Sequence, residues 1–262
     1  DSGRRISFPV PHAEKAGPAD SLSGVCRSIR RTIMDLLKRS LAECIGTLIL
    51  VFIGCGTVCV LGGSGDLFGI AAAFGLAVCV LIYTLGTVSG CHINPAVSVA
   101  LCAVRKFPVK DTVAYCAAQF IGAVLGALLI LAVMGMDALN FGGLGMTAPA
   151  AGISSFQAVL AEFIGTFVLM LVIMGVAVDR RASPGFAGLS IGGAVLAVIL
   201  VIGNISGGSI NPARTFGPDL IALIFAGSDA LWTTFPIYVI GPVLGAVCAA
   251  VVYRGIAGRE NC

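Results

Sequence analysis

The sequence predicts an all-α membrane protein in which six transmembrane helices and two re-entrant half-helices form an inverted 3+3 repeat. Three observations support this fold class. The composition is too apolar for a soluble domain, several apolar runs have the length of a bilayer crossing, and the second half of the chain repeats the first.

The composition is typical of a protein that is embedded in a lipid bilayer. Hydrophobic residues make up 58% of the 262 residues and charged residues only 11%, whereas soluble domains carry about 25% charged residues. A spanning helix needs about 20 apolar residues, and six segments reach that length while two are too short. The long segments are 39–62, 67–88, 112–136, 155–178, 184–204 and 234–254, and the short ones are 94–104 and 211–221.

An internal repeat divides the chain into two halves. Three landmarks recur, each after 117 or 119 residues: AECIGT at 42–47 as AEFIGT at 161–166, SGCHINPA at 89–96 as SGGSINPA at 206–213, and IGAVLG at 121–126 as IGPVLG at 240–245. Each half contains three spans, which is an odd number. The second half therefore enters the membrane from the opposite face, and the repeat is inverted.

The basic residues predict the orientation in the cell membrane. Of the 16 Lys and Arg residues, all except Arg214 are cytoplasmic if the N-terminus is inside, and cytoplasmic loops carry an excess of these residues. We therefore expect both termini in the cytoplasm. The expected division is a cytoplasmic N-terminal tail at 1–38, a first half-repeat at 39–136, an extracellular connecting loop at 137–154, a second half-repeat at 155–254 and a cytoplasmic C-terminal tail at 255–262.

The N-terminal tail has two interpretations. Val25, Ile29 and Ile33 recur at helical spacing among basic residues, which favours a basic amphipathic helix on an anionic membrane face. The alternative is a disordered tail.

The net charge of +3 is too small to indicate nucleic-acid binding. The ten cysteines lack metal-ligand spacing, which favours free thiols over disulfides or a metal site.

The tripeptide Asn-Pro-Ala occurs at matched places in the two halves, as Asn94-Pro95-Ala96 and as Asn211-Pro212-Ala213. Asn is a favoured helix N-cap and Pro is favoured at the next position, so each tripeptide begins a helix. Each helix of about ten residues is long enough for about half of the hydrocarbon core. Two positive dipole ends then meet near the membrane centre, where Asn94 and Asn211 can donate hydrogen bonds into a lumen.

These motifs resemble the aquaporin (major intrinsic protein) family. The resemblance covers residues of about 40–254, and the SGCHINPAV and GNISGGSINPARTFGP runs are most similar to its archaeal-type branch. It implies a passive pore for water and small neutral solutes in each subunit of a homotetramer. It also implies that Asn94 and Asn211 orient passing water, and that Arg214 and three neighbours form the narrowest part of the pore.

The three neighbours of Arg214, placed by the family's spacing, are Phe74, Ile199 and Gly208. Phe74 and Arg214 fit the family's water-selective pattern, but that pattern has His at the place of Ile199 and usually Cys at the place of Gly208. The glycerol-conducting pattern, with Trp, Gly and Phe at the first three places, does not fit either. We therefore expect fast water flux and slower flux of small solutes such as glycerol.

Arg214 is a cation inside an apolar segment, where a charged residue indicates a functional site. The first half has Val97 in its place. With the two helix dipoles, Arg214 makes a positive barrier to protons and cations. The alternative is a structural salt bridge with Glu162.

Glu43 and Glu162 are the carboxylates of the six predicted spans, and they occupy matched positions. The favoured interpretation is that each accepts hydrogen bonds from backbone N–H groups of its re-entrant loop, because bare backbone is not tolerated in lipid. Gln119 has the same expected role. The alternative is a proton relay in a coupled transporter.

His92 and Cys91 precede the first Asn-Pro-Ala box. His92 is either a pore-lining residue or a structural donor, and the thiol of Cys91 is expected to face the cytoplasmic vestibule. No nucleotide motif, metal cluster or nucleophile constellation is evident, and His92 has no Ser or Cys partner except the adjacent Cys91. A passive channel without cofactors is therefore favoured over a coupled transporter or an intramembrane enzyme.

Overall fold

The computed structural model describes residues 22–258 and 260–262, with side chains described from residue 32 onward. Within these residues six helices are long and apolar enough to cross a membrane, as the sequence predicts. The helices are α1 (Leu22–Leu61), α2 (Leu67–Ser89), α3 (Pro95–Ala103), α4 (Val109–Met134), α5 (Asp137–Asn140), α6 (Ser155–Ile173), α7 (Ala187–Ser206), α8 (Pro212–Ala226), α9 (Ala230–Thr233) and α10 (Phe235–Ala257).

Side-chain caps supplied by the local sequence begin several of these helices. The Asp66 carboxylate accepts a hydrogen bond from the Gly69 backbone N–H at 2.8 Å, at the start of α2. Ser154 and Gln157 form a capping box at the start of α6. These caps satisfy N–H groups of the first turn that have no partner inside the helix.

The first span differs from its predicted boundary. The sequence predicts a separate tail before residue 39, but α1 continues without a break from Leu22 to Leu61. The backbone is helical at residues 22–38, as the amphipathic interpretation expects, and the division near residue 39 stays a prediction. The side chains of Val25 and Ile29, which belong to the predicted amphipathic face, lie outside the described residues, and contact of this face with a membrane surface stays a prediction.

The fourth span ends in a different kind of helix. α6 stops at Ile173, and Met174–Val178 continue it as a π-helical turn before the chain becomes extended at Asp179. Together the two segments cover 155–178, which is the span that the sequence predicts.

The spans of the two halves pack in the same way. α1 packs along α4 in the first half as α6 packs along α10 in the second, and α2 meets α7 across the two halves. The half-helices α3 and α8 pack mainly against the third span of the opposite half, α10 and α4 respectively. This exchange brings the N-termini of α3 and α8 together between the halves.

Glycine permits the closest contacts between the spans. A Cβ at Gly122 would collide with the carbonyl group of Cys44, and a Cβ at Gly245 would collide with that of Phe163. Both glycines belong to the repeated IGAVLG and IGPVLG landmarks. Small residues at these positions let the backbones of neighbouring membrane helices approach.

The two half-helices differ in length, although about ten residues are expected in each. α3 has nine residues, whereas α8 has 15 and extends beyond the predicted end near residue 221. Buried Ile221 and Ala222 anchor its second half. α8 ends where Gly227 adopts a left-handed φ of 66°.

Candidate functional site: a cavity between two half-helices

The two Asn-Pro-Ala boxes begin α3 and α8, as the sequence predicts. The Asn94 side chain accepts a hydrogen bond from the Ala96 N–H at 2.9 Å. The Asn211 side chain accepts from the Ala213 N–H at 3.0 Å and from the Arg214 N–H at 3.3 Å. Both asparagines are extended N-caps, with a proline in the first turn that follows.

Each asparagine also bonds to the opposite half of the protein. The Asn94 amide donates to the Ile210 carbonyl, and the Asn211 amide donates to the Ile93 carbonyl, both at 2.8 Å. These reciprocal bonds fix the two helix starts against each other. An amide nitrogen carries two N–H groups, so one per asparagine remains for a solute.

The re-entrant loops before the helices have an unusual backbone. Ile93 and Ile210 have φ angles of 43° and 49°, and Cys91 has 51°. Positive φ is a strained conformation for a β-branched residue, and such strain persists only where the surrounding structure imposes it. The same conformation at matched isoleucines shows that the repeat extends to the backbone of the loops.

Two buried glutamates impose this conformation. Glu43 accepts hydrogen bonds from the backbone N–H groups of His92 at 3.0 Å and Ile93 at 2.6 Å. Glu162 accepts in the same way from Ser209 at 2.9 Å and Ile210 at 2.6 Å. Both carboxylates have no exposed surface, and both have the loop-supporting contacts that the sequence favours.

Further polar side chains complete these two supports. Ser89 and Gln119 donate to Glu43 at 2.6 and 2.8 Å, and Ser206 donates to Glu162 at 2.7 Å. Neither glutamate lines the cavity that lies between the two halves of the protein. A relay that passes protons along the lumen would require them there.

A cavity of about 750 Å³, including its open ends, passes between the two halves. One side of its wall consists of the re-entrant loops and the asparagines, and the other side consists of aliphatic residues from four spans. Its lining includes Leu50, Val78, Ile82, Leu169, Ile173, Ile191 and Val195, together with Cys91, His92, Asn94, Ser209 and Asn211. The wall is thus apolar with one line of polar groups, the usual composition of a small-molecule site.

Three of the four predicted filter residues belong to this wall. Phe74, Ile199 and Arg214 all line the cavity, and the guanidinium carbon of Arg214 lies 4.8 Å from the centroid of the Phe74 ring. Gly208 is buried beside Ile199, since a Cβ on it would lie 3.5 Å from the Ile199 side chain. The residues placed by the family's spacing thus form two close pairs, Phe74 with Arg214 and Ile199 with Gly208.

Arg214 is held by the connecting loop. Its Nη1 donates to the Gly145 carbonyl at 2.5 Å, and the side chain is 3% exposed. The alternative salt bridge with Glu162 is wrong for the described residues, because the carboxylate of Glu162 is occupied by Ser206 and the loop N–H groups. The same loop places the Thr147 hydroxyl 2.9 Å from that of Thr215 on α8.

His92 lines the cavity on the other side of the asparagines. Its Nδ1 lies 3.0 Å from the Ser98 hydroxyl, and its ring packs edge-on against Phe107 and Tyr115, with centroids 4.7 and 5.1 Å away. The matched pair in the second half is Ser209 and Thr215, whose hydroxyl oxygens are 2.5 Å apart. His92 is therefore both pore-lining and structurally bonded, and Cys91 beside it also contributes to the wall.

The connecting loop is a part of the site that the sequence did not predict. The glycine-rich run FGGLG at 141–145 was the available signal, because such a run allows close approach of backbone to another group. Tyr115 and Tyr238 were also missed, and their hydroxyls donate to the Ser89 and Ser206 carbonyls at 2.7 and 2.6 Å. These tyrosines are 123 residues apart rather than 119, about one helical turn out of register.

Comparison with known proteins agrees with this geometry. Residues 30–253 match the family described as Major intrinsic protein. The chain is 51% identical over 242 residues to Aquaporin AqpM of Methanothermobacter marburgensis, which covers 85% of this chain and 98% of the relative. It is 50% identical over 242 residues to Aquaporin AqpM of Methanothermobacter thermautotrophicus, with the same coverage.

A solved structure has the same fold. The X-ray structure of the aquaglyceroporin from Plasmodium falciparum superimposes with a TM-score of 0.74 and 29% sequence identity, covering 87% of this chain and 97% of that one. The resemblance predicted from the two Asn-Pro-Ala boxes is confirmed. The chain belongs to the major intrinsic protein family.

Proposed function

We propose that this protein is a passive channel for water and, more slowly, for small uncharged solutes such as glycerol, and that it excludes protons and ions. The observation that carries the proposal is the cavity between the two half-helix starts, in which Asn94, Asn211 and Arg214 are the polar landmarks of an otherwise apolar wall. The relatives are named aquaporins and the structural neighbour an aquaglyceroporin, which supports the same function.

Water passes the asparagines in single file in this proposal. Each amide has one N–H bonded to the opposite isoleucine carbonyl, and its second N–H donates to a passing water oxygen. The N-terminal ends of α3 and α8 carry a positive partial charge and face the same point. A water molecule there turns its oxygen toward both asparagines, which interrupts a chain of waters that would otherwise relay protons.

The constriction at Phe74, Ile199 and Arg214 selects the solute. Arg214 stays protonated, and a fixed positive charge in a low-dielectric wall repels cations. The guanidinium N–H groups of Arg214 donate hydrogen bonds that replace part of the hydration shell of a neutral solute. Ile199 and Phe74 offer apolar contact to the carbon atoms of a solute such as glycerol.

In the membrane, we propose that both termini are cytoplasmic and that four copies assemble into a homotetramer with one pore in each subunit. The orientation is supported by the Lys and Arg distribution. Many apolar side chains on the spans are exposed, among them Leu76, Val133, Phe156, Val201 and Ile256. Such surfaces face either lipid or neighbouring subunits.

The orientation predicts opposite labelling of two sets of residues. In a variant without native cysteines, single cysteines at Gly63 and Asn140 should react with an impermeant maleimide from outside, and one at Arg180 only from inside. All three positions are exposed. The fourth position suited to this test, Arg259, lies outside the described residues. Labelling of positions 63 and 180 from the same side would contradict the inverted repeat.

A mercurial should block the pore from the cytoplasmic side. Cys91 lines the cavity beside His92, so a mercury adduct on its thiol would narrow the path. We expect Cys91→Ser to remove the inhibition of water flux, while the control Cys102→Ser, at a cysteine outside the lining, keeps it. Persistent block in Cys91→Ser would assign the inhibition to another thiol.

The replacement Ile199→His should lower the glycerol-to-water permeability ratio, by about tenfold if the apolar packing against glycerol is worth about 1.4 kcal/mol. The imidazole removes an apolar surface that faces the carbon atoms of glycerol and adds a hydrogen-bond donor for water. The control Ile199→Val keeps an apolar wall and should not lower the ratio. An unchanged ratio in Ile199→His would show that residue 199 is not at the constriction.

Osmotic measurements test the proposal as a whole. Proteoliposomes that contain the purified protein should shrink in hypertonic sucrose much faster than protein-free liposomes, as followed by stopped-flow light scattering. In a glycerol gradient they should shrink fast and then re-swell more slowly. A rate of shrinkage equal to that of protein-free liposomes would refute the channel function.

A further inference from the structure

A third carboxylate is buried in the membrane interior, on α8 five residues after Arg214. Asp219 has no exposed surface, and neither of its oxygens has a hydrogen-bond partner among the described residues. Glu43 and Glu162 are equally buried, but each accepts at least three hydrogen bonds. The three acids thus have the same burial and different environments.

The environment determines the charge of each acid. An ionised carboxylate that is removed from water without donors costs so much free energy that the group binds a proton instead. Glu43 and Glu162 have the donors that stabilise a negative charge. Asp219 lacks them, so burial favours its uncharged form.

Asp219 also breaks the symmetry of the repeat. At the offset of 117 residues that relates the two Asn-Pro-Ala boxes, Arg214 corresponds to Val97 and Asp219 to Cys102. The first half therefore forms its half-helix with neither charge. Both ionisable residues are special to the half that carries the constriction, and they lie five residues apart on one helix.

The groups that act on Asp219 electrostatically come from three helices. They are Arg214 on α8 itself, Cys55 on α1 and Tyr238 on α10. α4, which also packs on α8, contributes no ionisable group to this set within the described residues. Arg214 is the cation of the set, and its Nε has no hydrogen-bond partner there either.

We propose that Asp219 is a specificity-determining residue of the pore, kept as an uncharged acid on the same helix as Arg214 so that Arg214 retains its full positive charge. When Asp219 ionises, it becomes the counter-charge of Arg214 and lowers the barrier to cations. This inference rests on the proposed channel function, because it concerns what the same constriction excludes.

The direction of the pH dependence follows from this arrangement. The uncharged acid predominates on the acidic side of neutral pH, where cation exclusion is greatest. Raising the pH removes the proton from Asp219 while Arg214 stays charged. Cation leak should therefore increase at alkaline pH.

Infrared spectroscopy tests the protonation state without reference to transport. The difference spectrum between wild type and Asp219→Asn, both reconstituted at neutral pH, should contain the C=O stretch of a protonated carboxylic acid. This band should disappear at alkaline pH. A difference spectrum that contains only carboxylate bands at neutral pH would show that Asp219 is ionised, for example through a bridging water, and would overturn the proposal.

Potassium leak from proteoliposomes tests the consequence. Between about pH 6 and about pH 10 the leak through wild type should rise about tenfold above that of protein-free liposomes, whereas Asp219→Asn and Asp219→Ala should show no rise. Asp137→Asn, at an exposed residue outside the half-helices, is the control that should behave as wild type. A flat wild-type profile, or a rise that survives in both Asp219 variants, would overturn the proposal.

Water flux in the same vesicles separates the role of Asp219 from the channel function. A protein that conducts water but has no pH-dependent leak contradicts only the role of Asp219. A protein that conducts no water contradicts the channel function. Should Asp219→Asn fail to fold, the wild-type infrared band and its loss at alkaline pH still decide the protonation state.

Discussion

Replacing Arg214 by Val should raise the leak of cations and protons through the pore by about 30-fold while water flux continues. The substitution removes a buried charge from the wall of the cavity. A unit charge about 8 Å from the permeating ion contributes about 2 kcal/mol at an effective dielectric constant of about 20. Valine is the residue that the first half has at the matched position, Val97, so the half-helix start tolerates it.

Measurement of this effect needs a control for folding. Potassium and proton leak should be recorded in proteoliposomes with matched amounts of wild type, Arg214→Val and Arg214→Lys. Lysine keeps the charge but lacks the planar fork that bonds to Gly145, so it should retain most of the exclusion. Loss of folding in Arg214→Val would instead assign Arg214 a structural role, and an unchanged leak would place the ion barrier elsewhere.

Replacing Glu162 by Ala should abolish water flux and destabilise the protein. The change leaves the backbone N–H groups of Ser209 and Ile210 and the Ser206 hydroxyl without their acceptor. Each buried donor left unpaired costs about 1–3 kcal/mol. The loop before α8 would lose the strained backbone that sets the position of Asn211. With three donors unpaired, the free energy of unfolding should fall by about 3–9 kcal/mol.

The variant Glu162→Gln distinguishes support of the loop from proton relay. Glutamine has one acceptor oxygen in place of two and adds an N–H₂ group that faces the loop donors, so it should also lower thermal stability and water flux. Glu43→Gln should lower stability and water flux less. The Gln119 side chain, which donates to Glu43 at 2.8 Å, can rotate its amide so that its oxygen accepts from the new amide N–H. A stable Glu162→Gln protein with normal water flux would contradict the structural role.

The sequence predicted the parts of the site that the repeat encodes. Asn94 and Asn211 begin the half-helices because Asn-Pro is a local signal for a helix start, and Glu43 and Glu162 were identified because they recur at matched positions. Phe74 and Ile199 were placed by the family's spacing. These residues depend on local sequence or on an internal comparison, both of which are visible without coordinates.

The parts that the sequence did not predict depend on tertiary contact. Gly145 holds Arg214 through a backbone carbonyl, and a carbonyl carries no residue-type signal. The reciprocal bonds from the asparagines to the Ile93 and Ile210 carbonyls are invisible for the same reason. The unpaired state of Asp219 also appears only when its surroundings are known.

The continuity of the tail helix with the first span was not predicted, for a different reason. The change from basic to apolar sequence near residue 39 marks the passage from water into lipid. We interpreted this passage as the boundary between the tail and the first span. The backbone continues through it as one helix from Leu22. Helical hydrogen bonds are satisfied within the segment in water and in lipid alike, so a change of solvent need not interrupt them.

We expect solutes to cross this protein passively, without coupling to ions. Osmotic water permeability of proteoliposomes should be measured by stopped-flow light scattering with and without a transmembrane proton gradient, together with an internal pH indicator. A passive channel predicts the same high water permeability in both conditions and no dissipation of the gradient beyond that of protein-free liposomes. Water or glycerol flux that depends on the gradient, with movement of protons, would contradict it and would identify a coupled transporter.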